Sequence, residues 1–139
     1  MVVADTDILI GAFGKAREPM RRRVLELAQS GELATTTITL YELTAGPRTT
    51  GAQLEILHAA LGPILMLPVT PGAADIAASA NRYLARRGQA IAVPDTLIAG
   101  VCIAHGLPLL TGNAKHFGRV PGLELVPLDD HAPEGGHQQ

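Results

Sequence analysis

Five short apolar segments alternate with helical segments along the chain, and this alternation limits the fold more than any other feature of the sequence. The predicted strands are residues 1–4, 33–38, 64–69, 107–111 and 123–128. Apolar residues recur at helical spacing between them, and the predicted helices are residues 18–30, 40–45, 52–61, 73–87 and 95–105, with a further helix after Asp7. Strands that alternate with helices are typical of a parallel sheet covered on both faces. The sequence therefore predicts an α/β fold of three layers, α/β/α, with a mostly parallel central sheet.

The sequence also predicts the sheet position of one strand and the buried face of one helix. Pro68 interrupts the third strand and cannot donate to a sheet ladder, so this strand is expected at an edge of the sheet or to end early. The helix at residues 73–87 ends before Gly88, with Asp75 expected in its first turn. Its expected buried stripe consists of Ile76, Ala80, Tyr83 and Leu84.

The length and composition predict one domain. The chain has 139 residues, and we assign residues 1–128 to the domain and the polar residues 129–139 to a flexible C-terminal tail. The net charge of −2 excludes a strongly basic nucleic-acid binder but not a local basic groove. Cys102 is the only cysteine, which excludes an internal disulfide and agrees with a cytoplasmic location. No apolar run approaches the ~18 residues of a membrane span, and we expect no signal peptide.

Three carboxylates occupy sequence positions that otherwise resemble protein core. Asp5 follows the first apolar strand, Glu42 lies in a short helix after the second, and Asp95 begins a helix after Pro94. A charge in such surroundings is costly unless it is compensated, and a divalent cation is one compensation. Oxygen-only ligands suit Mg²⁺ or Mn²⁺ better than Zn²⁺. Asp5 and Thr111 also fall at the carboxyl ends of predicted parallel strands, where open α/β sheets place their sites.

Four short motifs, in order, resemble the PIN-domain ribonucleases and in particular the VapC-type toxins. They are Asp-Thr-Asp-Ile-Leu-Ile at residues 5–10, Glu-Leu-x-x-Gly at 42–46, Pro-Asp-x-x-Ile-Ala at 94–99, and Thr-x-Asn-x-Lys-His-Phe at 111–117. The resemblance extends from residue 2 to about residue 128. It implies a metal-dependent endoribonuclease toxin that hydrolyses RNA phosphodiester bonds, forms a homodimer and is inhibited by a cognate antitoxin. Its substrate would be RNA, with a tRNA or ribosomal RNA loop as the family's usual target.

The resemblance also assigns roles to individual residues. Asp5, Glu42 and Asp95 correspond to the acids that hold Mg²⁺ or Mn²⁺, and the hydroxyls of Thr6 and Thr111 correspond to groups that orient carboxylates or metal-bound water. The closing motif departs from the family, because Asn113 and His116 stand where acids are common. The number of metal ions therefore stays open, and His116 can contact phosphate or solvent instead. Asp7 is either a further ligand or the N-cap of the helix that follows it.

Two other functions remain open at this stage. Asp5 and Asp7 resemble the Asp-x-Asp opening of haloacid-dehalogenase-type phosphatases, in which the first aspartate attacks phosphorus. That alternative leaves Glu42 unexplained and requires Asp129 and Asp130 as its late acidic pair. The second alternative is a degenerate PIN-like domain that binds RNA or a protein without cutting.

Partner contacts can be assigned to two sets of residues. The candidates for RNA phosphate contacts are Arg48, Arg82, Arg86, Arg87, Lys115 and Arg119. Trp is absent and aromatic residues make up 3% of the chain, so an extended base-stacking surface is not expected. The apolar faces of the helices at residues 18–30 and 52–61 are candidates for dimer or antitoxin contacts, with packing on the sheet as the alternative.

Overall fold

The computed structural model describes residues 1–14 and 18–127 of the chain, which form alternating strands and helices. In chain order the elements are β1 (Val2–Ala4), α1 (Thr6–Phe13), α2 (Glu18–Gln29), β2 (Leu33–Thr36), α3 (Thr37–Thr44), α4 (Gly51–Leu61), β3 (Leu65–Leu67), α5 (Pro71–Arg86), α6 (Val93–His105), β4 (Leu109–Thr111), α7 (Ala114–Phe117) and β5 (Leu125–Pro127). No helix in the described ranges is long and apolar enough to cross a bilayer.

The strands form one parallel sheet in the order β3-β2-β1-β4-β5. The first strand of the chain is thus the central strand, and β1 pairs Val3 with Ala34 of β2 on one side and with Leu109 of β4 on the other. The predicted parallel α/β sheet is confirmed. β3 lies at an edge and stops at Leu67, as Pro68 predicts.

Helices cover both faces of the sheet. Val2 and Ala4 of β1 pack on one face with residues of α1, α2 and α4, including Val24 and Leu61. Val3 points to the opposite face, where it packs with Ile98 and other residues of α6. This alternation is the period-two pattern of a strand that is buried on both sides. The three-layer prediction is therefore confirmed.

Cys102 lies on the buried side of α6, in the core that also contains Val3 and Ile98. Its side chain has no exposed surface, and burial raises the pKa of its thiol to about 12. A thiol in this environment stays protonated at neutral pH and is a poor nucleophile.

α5 and α6 pack at very short range, and Gly100 makes this approach possible. A Cβ atom at Gly100 would lie 2.4 Å from the backbone oxygen of Ala73 and 3.0 Å from the Cβ of Ala77. The side of α5 that faces α6 is accordingly built from small residues. Its buried residues are Ala73, Ala77, Ala80 and Leu84.

The stripe predicted for α5 was therefore partly wrong. Ala80 and Leu84 are buried as expected, but Ile76 is only partly buried and Tyr83 is 41% exposed. The reason is the packing of α5 against α6. The close contact at Gly100 leaves room only for the alanine face of α5, so the face with the larger side chains is not the buried one.

Capping residues explain why other predicted boundaries were wrong. β2 ends at Thr36 instead of residue 38, because the Thr36 hydroxyl accepts a hydrogen bond from the Thr39 backbone N–H and caps α3. α5 begins at Pro71, capped by Thr70, so Asp75 is not in its first turn. β4 begins at Leu109 instead of residue 107, because Leu107 follows the left-handed Gly106 that ends α6 and donates its N–H to the Cys102 carbonyl.

Two regions differ from the sequence prediction in extent. A four-residue helix, α7, lies in the closing motif and was not predicted, and β5 begins at Leu125 rather than at residue 123. The proposed tail at residues 129–139, with Asp129 and Asp130, lies outside the described residues.

Candidate active site

Asp5 lies at the junction of β1 and α1, where it has two structural contacts. It is the N-cap of α1, and its Oδ1 accepts a hydrogen bond of 2.9 Å from the Ile8 backbone N–H. Its Oδ2 accepts a hydrogen bond of 2.5 Å from the Thr111 hydroxyl at the end of β4. The side chain is buried, with 3% exposure. The cap role considered for Asp7 was wrong, because Asp7 lies inside the first turn of the helix that Asp5 caps.

Glu42 is held by the hydroxyl of Thr6, 36 residues earlier in the chain. Thr6 Oγ1 donates to Glu42 Oε1 at 2.5 Å and lies 3.0 Å from the hydroxyl of Thr39. Thr39 in turn lies 3.4 Å from the hydroxyl of Thr36, so a row of threonine hydroxyls connects the start of α3 to α1. The Glu42 carboxylate is exposed, and its side chain can change rotamer without displacing core residues.

Asp95 lies in the first turn of α6, directly after Pro94. This position agrees with the sequence prediction, and the positive end of the helix dipole favours an anion there. Thr96 next to it is buried and donates to the Val93 carbonyl at 2.7 Å. The partly buried Asp95 side chain faces the other acids.

Asn113 and His116 contact each other at the start of α7. Asn113 Nδ2 lies 3.1 Å from Nδ1 of His116, and the Asn113 backbone N–H donates to Thr111 Oγ1 at 2.9 Å. The Thr111 hydroxyl therefore connects the closing motif to Asp5. His116 is exposed, whereas Asn113 is partly buried.

These side chains meet around one cavity of about 250 Å³ at the carboxyl ends of the strands. Its lining residues are Asp5, Thr6, Asp7, Ile10, Glu42, Asp95, Asn113 and Phe117. The cavity thus joins the three predicted acids with Thr6 and Asn113, while Thr111 reaches it through Asp5. Ile10 and Phe117 were not expected. Phe117 ends the closing motif, and its position there was the one signal that could have indicated it.

Burial and neighbouring negative charges raise the pKa of two of the acids, Asp5 and Asp95. Burial raises the pKa of Asp5, the hydrogen bonds from Thr111 and Ile8 oppose that rise, and the charges of Asp7 and Asp95 add to it. Burial also raises the pKa of Asp95, the negative charges of Glu42 and Asp7 raise it further, and His116 opposes them. Such clustered carboxylates are stabilised in the ionised form when a cation enters.

The donor set fits a hard divalent cation, although the present side-chain rotamers do not form a finished coordination sphere. Within residues 1–14 and 18–127, no three Asp, Glu, His or Cys side chains are arranged to hold one ion. Glu42 is turned towards Thr6 and both Asp5 oxygens accept hydrogen bonds. Every carboxylate around the cavity offers oxygen alone, which is the chemistry that Mg²⁺ and Mn²⁺ select.

Comparisons with known proteins identify the family. The family model for the PIN domain matches residues 2–123. A tRNA(fMet)-specific endonuclease VapC from Shigella flexneri is 30% identical over 122 residues, which cover 86% of this chain and 91% of that protein.

Solved structures agree with the sequence comparisons. VapBC2 from Rickettsia felis, bound to a DNA fragment from its promoter, gives a TM-score of 0.80 at 26% identity, with 93% of this chain and 100% of that chain covered. The DNA-bound VapBC of Salmonella typhimurium gives 0.77 at 26% identity, with 91% and 98% covered. The haloacid-dehalogenase alternative gains no support from these relatives, and a nearly buried Asp5 with both oxygens hydrogen-bonded is poorly placed to attack a substrate. The chain therefore belongs to the PIN-domain family, among its VapC-type members.

Proposed function

We propose that this protein is a Mg²⁺- or Mn²⁺-dependent endoribonuclease, the toxin of a toxin–antitoxin pair, and that it cuts tRNA in the cytoplasm. The observation that carries the proposal is the convergence of Asp5, Glu42 and Asp95 on one cavity. The relatives named for cleavage of tRNA(fMet) support both the reaction and the substrate class.

Asp5, Glu42 and Asp95 would hold the cation in this mechanism. A bound cation supplies activation of water and offsets the charge that develops on the phosphodiester. Thr111 and the Ile8 N–H fix Asp5 in place, so this carboxylate is in position before any cation binds. Thr6 holds Glu42 beside the cavity, where the exposed Glu42 carboxylate would be available to hold the cation.

Asn113 supplies an uncharged polar group on the closing motif, where an acid is common in the family. Together with His116 it lowers the negative charge on that side of the cavity relative to a fourth carboxylate. We therefore propose one firmly held cation rather than two.

The test is metal-dependent cleavage of a defined RNA by the purified chain, free of any antitoxin. An initiator tRNA transcript and total tRNA are incubated with Mg²⁺, with Mn²⁺ and with EDTA, and the new RNA ends are mapped. Cleavage should require metal and should fall by at least ~10²-fold in Asp95→Asn. Asp75→Asn removes the same charge from an exposed position on α5 and should cut like wild type. Cleavage that persists in EDTA, or equally in Asp95→Asn, would contradict the proposal, and so would the absence of any metal-dependent cut in the wild type.

The antitoxin contact is proposed for an apolar groove among α1, α2 and α4, the helices that pack on the Val2 and Ala4 face of the sheet. The groove, of about 720 Å³, is lined by α1, α2, α4 and Ile64, with Leu25 and Ile56 exposed by 43% and 68%. Large apolar side chains with this exposure are typical of interaction surfaces. The solved relatives that are complexes of toxin and antitoxin support a protein partner.

A growth assay tests this contact. Wild type should arrest growth, and co-expression of the cognate antitoxin should restore it. Leu25→Asp or Ile56→Asp should stay toxic in the presence of the antitoxin, whereas Leu65→Asp on the edge strand β3 should still be neutralised. Neutralisation of all three variants would exclude the groove. The implied homodimer is checked separately by light scattering.

A further inference from the structure

A compact group of arginines lies on the exposed face of α5, apart from the acidic cavity. Arg82, Tyr83, Arg86 and Arg87 line a shallow depression of about 490 Å³ together with Ser79. Arg82 and Arg86 are four residues apart, as are Tyr83 and Arg87, so each pair shares one side of the helix. We call these five residues the α5 patch.

The α5 patch carries three positive charges, those of Arg82, Arg86 and Arg87. In the described part of the chain, no carboxylate lies within 4.0 Å of Arg82, Arg86 or Arg87. The Arg87 guanidinium lies 4.2 Å above the centre of the Tyr83 ring, an arrangement that positions the cation without reducing its charge. In a chain of net charge −2, three arginines within residues 82–87 are a concentrated site for an anion.

A path of contacts joins the α5 patch to the acidic cavity. Arg119 donates a hydrogen bond of 3.2 Å to the backbone carbonyl of Gln89, which lies two residues beyond Arg87. Arg119 also lies three residues after His116, which contacts Asn113 at the rim of the cavity. Three residues span at most about 11 Å, which limits the separation of His116 and Arg119. The hydrogen bond from Arg119 to Gln89 then connects the closing motif to the chain segment that directly follows the α5 patch.

We propose that the α5 patch binds the phosphate backbone of the RNA whose scissile bond lies in the acidic cavity. This inference rests on the proposed function and names the residues that would hold the substrate outside the site of cleavage. Guanidinium groups bind phosphate oxygens in pairs of hydrogen bonds, so arginines are better suited than lysines to this contact. The acids lie at the cavity and the arginines lie on α5. Phosphates bound by the arginines would hold the RNA next to the acids, which alone would repel it.

The residues of the α5 patch define the test. Fluorescence anisotropy measures the binding of a labelled initiator tRNA transcript to the Asp95→Asn chain, which should not cut it. Adding Arg82→Gln and Arg86→Gln should raise Kd by about 10-fold and make the slope of log K against log salt shallower by about 1.4–1.8. The matched control is Arg21→Gln with Arg22→Gln, which removes two charges from exposed positions on α2 and should change Kd by less than about 2-fold. Arg82→Lys with Arg86→Lys keeps the charge and should recover most of the salt slope.

Failure of the proposal is distinguishable from failure of the proposed function. If wild type cuts the transcript with metal but the α5 and α2 variants bind equally well, the α5 patch is not an RNA contact. If the α5 variant keeps its tRNA affinity but loses the dimer in light scattering, or loses antitoxin binding, the patch belongs to a protein interface and the proposal is overturned. If wild type neither binds nor cuts tRNA, both proposals fall together. The substituted arginines are exposed, so each arginine variant should melt at the same temperature as the Asp95→Asn chain that carries it.

Discussion

Thr111, the last residue of β4, donates a 2.5 Å hydrogen bond to the Asp5 carboxylate at the end of β1, across 106 residues of sequence. The two strands are neighbours in the sheet, so their carboxyl ends bring these side chains together. Thr111 Oγ1 also accepts from the Asn113 N–H, so one hydroxyl joins the opening and closing motifs of the family.

Removal of that hydroxyl should cost stability. Thr111→Val keeps the shape but leaves Asp5 Oδ2 without its buried donor, and an unsatisfied buried group costs about 1–3 kcal/mol of unfolding free energy. The loss should appear in urea denaturation at pH 7 without metal. Thr111→Ser retains the hydroxyl and serves as the control. Equal stability of the valine and serine variants would show that the contact does not hold Asp5.

The unfolding free energy should depend on pH because the fold raises the pKa of Asp95. The pKa of Asp95 is raised in the fold by burial and by the charges of Glu42 and Asp7. A carboxyl with a raised folded pKa binds protons more tightly in the native state, so stability falls as pH rises from the ordinary aspartate pKa of 3.8 through the folded pKa.

Asp95→Asn removes this cost. In metal-free buffer the variant should melt above wild type at pH 7, and the difference should shrink as pH falls towards 4. Asp75→Asn, at an exposed site on α5, is the control and should follow the wild-type curve. A variant that melts below wild type at pH 7 would contradict the repulsion seen around Asp95.

Metal binding should stabilise the fold through the same acids. A ligand present at 100 times its Kd stabilises the native state by about 2.7 kcal/mol, so Mn²⁺ should raise the melting temperature of wild type. Asp5→Asn places an amide nitrogen at one of the two carboxylate oxygens that accept hydrogen bonds, so its own metal-free melting temperature is the reference, and relative to it the variant should lose the gain produced by Mn²⁺. A full metal-induced gain in this variant would remove Asp5 from the ligands.

Restoring the missing acid should strengthen metal binding. Asn113 lines the cavity beside Asp5, Asp7, Glu42 and Asp95, so Asn113→Asp adds a carboxylate from the closing motif and should increase Mn²⁺ affinity or stoichiometry in calorimetry. Ala114→Asp adds the same charge one residue away, at an exposed position that does not line the cavity. Identical Mn²⁺ isotherms for the two variants would show that Asn113 does not face the cation.

The contact between α5 and α6 predicts opposite effects at two glycines. At Gly100 a methyl group would meet the Ala73 carbonyl at 2.4 Å, so Gly100→Ala should lower the unfolding free energy by about 1–3 kcal/mol. At Gly51, in the first turn of α4, a Cβ meets nothing within 4 Å, and Gly51→Ala should be neutral or gain up to about 1 kcal/mol. Chemical denaturation compares the two, and a stabilised Gly100→Ala would mean that the helices can separate at little cost.

The sequence predicted the elements of the fold well because their signals are local. The apolar run before Asp5 predicts a strand, and the glycines at residues 88 and 106 predict helix ends, without any knowledge of tertiary contacts. The exposure of Tyr83 could not be predicted from the sequence, because the face of α5 that is buried depends on the close approach of α6 at Gly100. The four-residue α7 is too short to show helical periodicity.

The site was predictable in composition but not in its contacts. The acids and Thr6 were identified from their motifs, and the structure brings Asp5, Glu42 and Asp95 to one cavity. The cap role was considered for Asp7, which was left open as cap or ligand, but it belongs to Asp5, since both residues precede the apolar part of α1. The bond from Thr6 to Glu42 connects two helices 36 residues apart and depends on side-chain rotamers that no sequence pattern specifies.

The central position of β1 has a consequence for synthesis of the protein on the ribosome. The strand made first must wait for β4, which ends at Thr111, before both of its edges are paired and Asp5 gains its second hydrogen-bond donor. A nascent chain shorter than that carries Asp5 and Glu42 but no assembled site. The complete site can therefore form only after most of the polypeptide has been synthesised. This delay gives an inhibitor time to be made before the nuclease is active.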